Sequence, residues 1–297
     1  MSNLTIRDGK LTVSGGCICM SSENATPETG YTSVNIGKLL EVPAGSFQRD
    51  ATATNVSVIS TSFSMSKNEI TRQQFLNIMG TDPSDAVIGI DGVNTPVQQV
   101  NWYHAIAFCN KLSIAESLDP VYVVTGVDFA TLTYAQIPVA TNAAWNAAVC
   151  NWAANGYRLP TEMEWMWAAM GADVGNPGVK NVAGYAKPFA GSNGANVSTD
   201  YAWISTNSSG KAHAVGGKFS NELGLYDMSG NIFEWCWDFE NSYPNGTLTD
   251  FHRDSGTTRI NRGGSWNHLA TAVTMIYRYY SNPYYMNNRF GFRVVRL

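Results

Sequence analysis

Apolar and polar positions along this chain alternate with two periods, and the changes of period place its elements. Leu4-Thr5-Ile6 and Lys10-Leu11-Thr12-Val13 flank Asp8-Gly9 as a small hairpin would. The polar run 21–30 then reads as a connection, which makes residues 1–36 a leader to a main domain over 37–297. Residues 40–47, 56–59 and 63–65 read as strands. Thr71-Arg72-Gln73-Gln74 is a capping box opening a short helix that stops at Gly80. From 102 to 118, Ala105, Ile106, Phe108, Cys109, Leu112 and Ile114 give one broad apolar side of a second helix, closed by Asp119-Pro120. Residues 121–148 read as an irregular insertion with weak strands. Thr161-Glu162-Met163-Glu164 caps a third helix that runs to Gly171. From there to about 217 the chain is rich in Gly, Asn and Ser, and turns with short strands fill the remainder. Long irregular stretches inside a compact chain are uncommon and often functional. The class is α+β, with no internal repeat.

The last stretch departs most from ordinary patterning. Arg262-Gly263-Gly264-Ser265-Trp266 and the alternating Arg289-Phe290-Gly291-Phe292-Arg293-Val294-Val295 read as fixed framework. Between them, residues 267–288 hold Tyr277, Tyr279, Tyr280, Tyr284 and Tyr285 among Asn, Ser and Thr, with Arg278 the one formally charged residue. Tyr with Ser and Asn is the chemistry of antibody loops: large amphipathic contacts at low entropic cost, with adaptable hydrogen bonds. A packed strand is the competing reading, but adjacent tyrosines point to opposite faces of a strand, so not all five can be core. The expected face is His268, Leu269, Thr271, Tyr277, Tyr279, Tyr280, Ser281, Tyr284, Tyr285, Asn287, Asn288 and Phe290, on a framework of Trp266, Arg278, Phe292 and Val294.

Composition narrows the partners. The net charge of -4 and the lack of any Lys/Arg cluster give no footprint for nucleic acid. Only 14% of residues are charged, below the usual quarter or so, so the surface is uncharged polar. No apolar run reaches the roughly 18 residues of a membrane span. Met1-Ser2-Asn3-Leu4-Thr5 has neither the basic nor the apolar part of a signal peptide, which leaves two readings: a cytosolic protein, or an exported one whose leader is not seen at this N-terminus. The five cysteines have no zinc spacing, and Cys109 and Cys236, in apolar runs, read as buried thiols.

Four signatures occur in order: Tyr157-Arg158-Leu159-Pro160-Thr161-Glu162 with Trp165; Asn221-Glu222-Leu223-Gly224-Leu225-Tyr226-Asp227-Met228-Ser229-Gly230-Asn231 with Glu234-Trp235; Arg262-Gly263-Gly264-Ser265-Trp266; and Gly291-Phe292-Arg293. Together they resemble the formylglycine-generating-enzyme (sulfatase-modifying factor) family over residues 37–297. The resemblance implies a variant of the C-type lectin fold, with short helices on small twisted antiparallel sheets. It also implies an oxidase that works through two cysteines after the Gly-Gly-Ser turn. Here His268 and Val273 hold those places, and no cysteine follows Cys236. The oxidase chemistry, with any redox cofactor, is therefore not expected, since there is no thiolate to act as nucleophile or ligand. Val294 likewise replaces the family's disulfide partner, which leaves Cys109 without one. A C-terminal Arg-Gly-Gly-Ser-Trp, an Asn/Tyr-rich tract and Gly-Phe-Arg-Val-Val instead resemble the variable proteins of diversity-generating retroelements. In those systems, adenine-directed mutagenesis rewrites AAY codons in a segment that would correspond to about 262–296. The implied function is non-enzymatic display of a diversified site to a protein or cell-surface ligand, by a monomer exported free or on a lipid anchor; the alternative is an oxidase of the family or a dead relative.

The resemblance also implies one structural calcium ion at Asp227, Gly230, Ile232 and Glu234, where carboxylate oxygens and backbone carbonyls alternate on a bent turn. The competing reading is that Asp227 shapes the turn and Glu234 pairs with an arginine such as Arg158. His104, His213, His252 and His268 have no ligand spacing, and a surface place is expected for each.

Overall fold

The computed structural model describes residues 3–7, 10–14, 29–86 and 91–297. The opening hairpin is present: β1 (Asn3–Arg7) pairs antiparallel with β2 (Lys10–Ser14). Cys17, Cys19 and most of the polar connection lie outside the described residues.

The strand read over 40–47 is two strands. After β3 (Gly30–Ser33) come β4 (Gly37–Val42) and β5 (Gly45–Gln48), separated at Pro43, which has no N–H to give a ladder. β6 (Val56–Ile59) and β7 (Phe63–Ser66) follow. α1 (Arg72–Met79) carries the Thr71–Gln74 capping box and ends at Gly80, whose φ is 72°. α2 (Trp102–Ala115) stops short of the expected 118, because Ser117 turns left-handed at φ 57° and Leu118 N–H donates back to Ser113 O at 2.8 Å. The insertion holds β8 (Tyr122–Val123), one turn of α3 (Ala143–Asn146) and β9 (Val149–Cys150). Thr161 and Glu164 cap α4 (Glu162–Ala169), which is buried on every side and therefore central. The C-terminal part supplies β10 (Phe233–Phe239), β11 (Thr247–Thr249), β12 (Arg259–Arg262), β13 (Tyr279–Ser281), β14 (Phe290–Gly291) and β15 (Val295–Arg296).

Three sheets carry the domain, in the orders β13-β12-β10-β14, β11-β6-β5 and β15-β7-β4-β3. All pairings are antiparallel except β10 with β14 and β11 with β6. β10 is the hinge of the packing. All seven of its residues are buried, so its two faces serve two cores. Phe233, Trp235 and Trp237 face the core around α2, while Cys236 belongs to the core around α4. On that second side Trp165 Nε1 and Arg293 Nε donate to Glu234 Oε2 at 2.6 and 2.7 Å, and the amides of Glu162 and Arg253 donate to Asp238. Glu234 thus takes Arg293 as its partner, not Arg158, which holds Glu164 through two bonds of 2.6 Å.

Arg293 and Glu234 are both fully enclosed. Breaking such a pair leaves an uncompensated charge, so Arg293→Met should cost about 3–5 kcal/mol. Thr161→Ala removes only a helix cap and should cost ~1 kcal/mol. Urea unfolding of both variants checks the order; equal midpoints would show that the pair contributes nothing special.

Candidate functional site

The tract from 267 to 290 is held by its backbone. The carbonyls of Met275 and Tyr277 accept from Arg262, the first at 2.8 Å. Val273 O accepts from Ser229 Oγ at 2.9 Å, His268 O from the Ser205 amide at 2.9 Å, and Pro283 O from the Trp102 amide at 2.9 Å. Asn287 O accepts from the Gln99 amide at 3.0 Å, Asn288 O from Trp266 Nε1 at 3.2 Å, and Arg289 O from the Phe233 amide at 2.7 Å. These donors come from the fixed part of the chain and read no side chain of the tract. One framework side chain adds a charge anchor: the Arg278 guanidinium grips Glu162 at 2.7 and 2.8 Å, with Tyr243 also donating to that carboxylate. Gly264 permits the approach of the tract, since a Cβ there would meet Ala272 O at 2.5 Å on a backbone already at φ 79°.

The side chains divide into anchors and an outer surface. Ala272, Val273, Met275 and Pro283 are buried. Leu269, Tyr279, Tyr280 and Tyr285 are 62%, 37%, 53% and 41% exposed. Thr271 is exposed; His268, Tyr277, Ser281, Tyr284, Asn287 and Asn288 are half-buried. Phe233 gathers the aromatic part: the rings of His268, Tyr279, Phe290 and Tyr277 lie 4.9, 5.0, 5.5 and 6.5 Å from it. Tyr280 joins through Tyr279 and Tyr285 through Phe290. Tyr284 instead packs on the α2 core, while Leu269 caps and Thr271 lies within a 3₁₀ turn, Ala270–Ala272. Phe290 is a correction. At 2% exposure it is the floor of the cluster, not part of an outward face, because β14 pairs with fully buried β10. Several outer residues escaped the sequence reading: Asn267, Ala270 and Asn282 are exposed, and two more bear on the site. Ile276 is 58% exposed, which its apolar character conceals; Arg289 borders the cluster and was counted with the framework strand.

The Asp227 turn is built of enclosed groups. Asp227 takes φ 56° and its Oδ2 accepts from the Gly216 amide at 2.8 Å. Glu69 accepts from Asn231 Nδ2 at 2.7 Å and from the Ile232 amide at 3.1 Å. Burial pushes the Asp227 carboxyl up to about 6, and burial together with Asp227 raises Glu69 well above the carboxylate range. Asp227 Oδ1 and Glu234 Oε1 are buried without a hydrogen-bond partner. Two bare carboxylate oxygens suit a hard cation as donors. Against that, Arg293 already faces Glu234, and no group of three or more His, Cys, Asp or Glu among the described residues is arranged to hold a metal.

Other candidates resolve as structural. His104 is fully buried, contrary to the surface place expected: it stands at the third position of α2, its Nδ1 facing Asn101, and burial pushes it down to about 4. Its role as a cap was hidden because histidine is not the usual Glu or Gln of a capping box. Cys109, Cys150 and Cys236 are free buried thiols, and burial drives all three up, so none is a ready nucleophile. No described helix is long and apolar enough to cross a membrane.

Comparison with known proteins agrees with this geometry. Residues 23–297 match the sulfatase-modifying factor enzyme 1-like domain. The chaperone protein LppX of Paenibacillus barcinonensis is 34% identical over 257 residues, covering 82% of this chain and 83% of that protein. Treponema denticola variable protein 1 superposes with a TM-score of 0.76 at 34% identity, over 87% of this chain and 94% of the other. PvdO from Pseudomonas aeruginosa, 18% identical, superposes at 0.62 over 91% and 98% and shows the shared fold alone. The architecture is that of the C-type lectin-like fold, and the chain belongs to the sulfatase-modifying factor enzyme 1-like domain family.

Proposed function

We propose that this chain is a non-enzymatic binding protein whose ligand site is the outer surface of the 267–290 tract, and that a diversity-generating retroelement rewrites it. The carrying observation is the division of labour within the tract. Its carbonyls are bound by scaffold donors, while Leu269, Ile276, Tyr279, Tyr280 and Tyr285 stand exposed. A site so held changes its side chains without changing its path. Likeness to Treponema denticola variable protein 1 supports the reading. So does the sequence at the oxidase positions: His268 donates no thiolate, and the Val273 side chain is fully buried in the scaffold. The alternative, an oxidase or its inactive relative, keeps only the family in its favour. We place the protein at the cell surface as a monomer, delivered by an export leader or lipid anchor, where a protein or cell-surface ligand meets the tract.

For the metal we propose one structural calcium ion with Asp227, Gly230, Ile232 and Glu234 as its donors. When bound, it would supply positive charge to the two bare oxygens. Asp227 and Glu234 themselves fix the turn that leads into β10 and, through Ser229, the Val273 carbonyl of the tract.

Three outcomes are expected. Beside the gene there should be a near-copy of the codons for 262–296, differing at adenines, next to a reverse transcriptase; a neighbourhood with neither removes the retroelement. Tyr280→Ala, Tyr285→Ala and Leu269→Ala should each shift urea stability by no more than about 0.5 kcal/mol. Arg262→Met, which strips donors from two buried carbonyls, should cost at least ~2 kcal/mol. Comparable losses in both groups would mean that the outer side chains hold the fold. Finally, excess chelator should lower the melting temperature, and Asp227→Asn should abolish the difference, because a ion bound only to the native state stabilises it. Superimposable melts with and without chelator would dispose of the calcium ion.

A further inference from the structure

Two side chains at one end of the tract each keep a donor nitrogen with no acceptor. Arg289 is half-buried, and neutral amide oxygens occupy two of its nitrogens: Nε donates to Asn287 Oδ1 at 3.0 Å and Nη1 to Asn267 Oδ1 at 3.2 Å. Among the described residues no carboxylate lies within ion-pair distance of it; the paired arginines are Arg72, Arg158, Arg262, Arg278 and Arg293. Its Nη2 has no partner and is not enclosed. The second donor is His268. The Ser265 side chain is fully buried, and its recorded partner is His268 Nδ1 at 2.7 Å. A buried hydroxyl needs an acceptor. Its proton therefore points to Nδ1, and the neutral ring carries its own hydrogen on Nε2. Burial, and then the Arg289 charge, hold this imidazole below its ordinary value, which keeps it neutral at physiological pH. Nε2 is likewise open.

Phe233 brings the two together. Its amide donates to Arg289 O at 2.7 Å, its ring meets His268 edge-on at 4.9 Å, and Arg289 reaches Asn267, the residue before His268. The tract between 267 and 288 has no Asp or Glu to compete for them. We propose that His268 Nε2–H and the Arg289 guanidinium form an oxyanion subsite, which takes a carboxylate from an acidic side chain of the ligand. This rests on the tract being the ligand site. The two asparagines and Ser265 pre-orient both donors, and the aromatic floor of Phe233 and Phe290 strengthens a charge-assisted bond above it.

The test follows the His268 imidazole by ¹⁵N–¹H correlation in the full chain, titrated with sodium acetate, with inorganic phosphate, and with sodium chloride at matched ionic strength. Without added anion, Nε2 should be the protonated nitrogen and Nδ1 the acceptor. Acetate should shift Nε2 saturably where chloride does not. Arg289→Gln should weaken the acetate response about tenfold or more, as loss of a charged donor does, while Lys180→Gln, at the end of the exposed stretch 174–180, should leave it unchanged. The subsite is overturned by a proton on Nδ1, by an acetate response no greater than that of chloride, or by saturation that survives Arg289→Gln. Phosphate binding tighter than acetate would overturn the carboxylate assignment. The anions are read without any macromolecular ligand, so this outcome and that of the tract's function remain separate.

Discussion

Arg262 is the interaction on which the variable-looking end of this protein depends. Its side chain is fully enclosed beneath the tract, stacks over Trp165 at 5.1 Å, lies 3.5 Å from Glu162 Oε1, and donates upward to the carbonyls of Met275 and Tyr277. A guanidinium is suited to this because it presents five donors in a rigid fork and stays charged. Main-chain carbonyls are the same whichever residues carry them. A clamp that reads carbonyls therefore fixes geometry while leaving composition open, and Ser229, Trp102, Gln99, Trp266 and Phe233 extend the same principle along the tract.

The scarcity of charge takes on meaning in this light. With 14% charged residues, the chain still encloses the acids Glu69, Glu162, Glu164, Asp227, Glu234 and Asp238 and the arginines Arg49, Arg158, Arg259, Arg262 and Arg293. Buried ion pairs contribute little net stability but are costly to break. They tie β10, α4 and the last strands into one arrangement: Arg293 to Glu234, Arg158 to Glu164, Arg278 to Glu162. Arg259, enclosed by Trp102 and Phe239 at 3.7 and 3.4 Å, is pushed down to about 9 by burial.

Local chemistry was legible in the sequence and long-range pairing was not. The Thr71 and Thr161 capping boxes depend on residues three apart and formed as read, and the short strands read at 4–6 and 10–13 pair with each other. The end of α2 was misplaced because Ser117 adopts a left-handed turn usually given to glycine. Glu234 could be seen as a buried acid, but the sequence could not choose Arg293, 59 residues on, over Arg158. In the tract, alternation alone could not tell outward Tyr280 from inward Phe290, since β13 pairs with β12 on one side only whereas β14 lies against the buried β10. Ile276 and Arg289 were missed for opposite reasons: one is apolar yet exposed, the other charged yet unpaired.

The position of β13 has a further consequence. It is the edge of the sheet β13-β12-β10-β14, and its Tyr279-Tyr280-Ser281 is short, uncharged and rich in strand-forming side chains. An open edge of that kind invites pairing with a second chain and hence aggregation. What blunts it lies just outside the strand: Arg278 before it, locked to Glu162, and Pro283 after it, buried and without an N–H to extend a ladder. Neither Arg278 nor Pro283 belongs to the exposed side chains of the tract, so changes confined to those exposed side chains leave both of these edge guards in place.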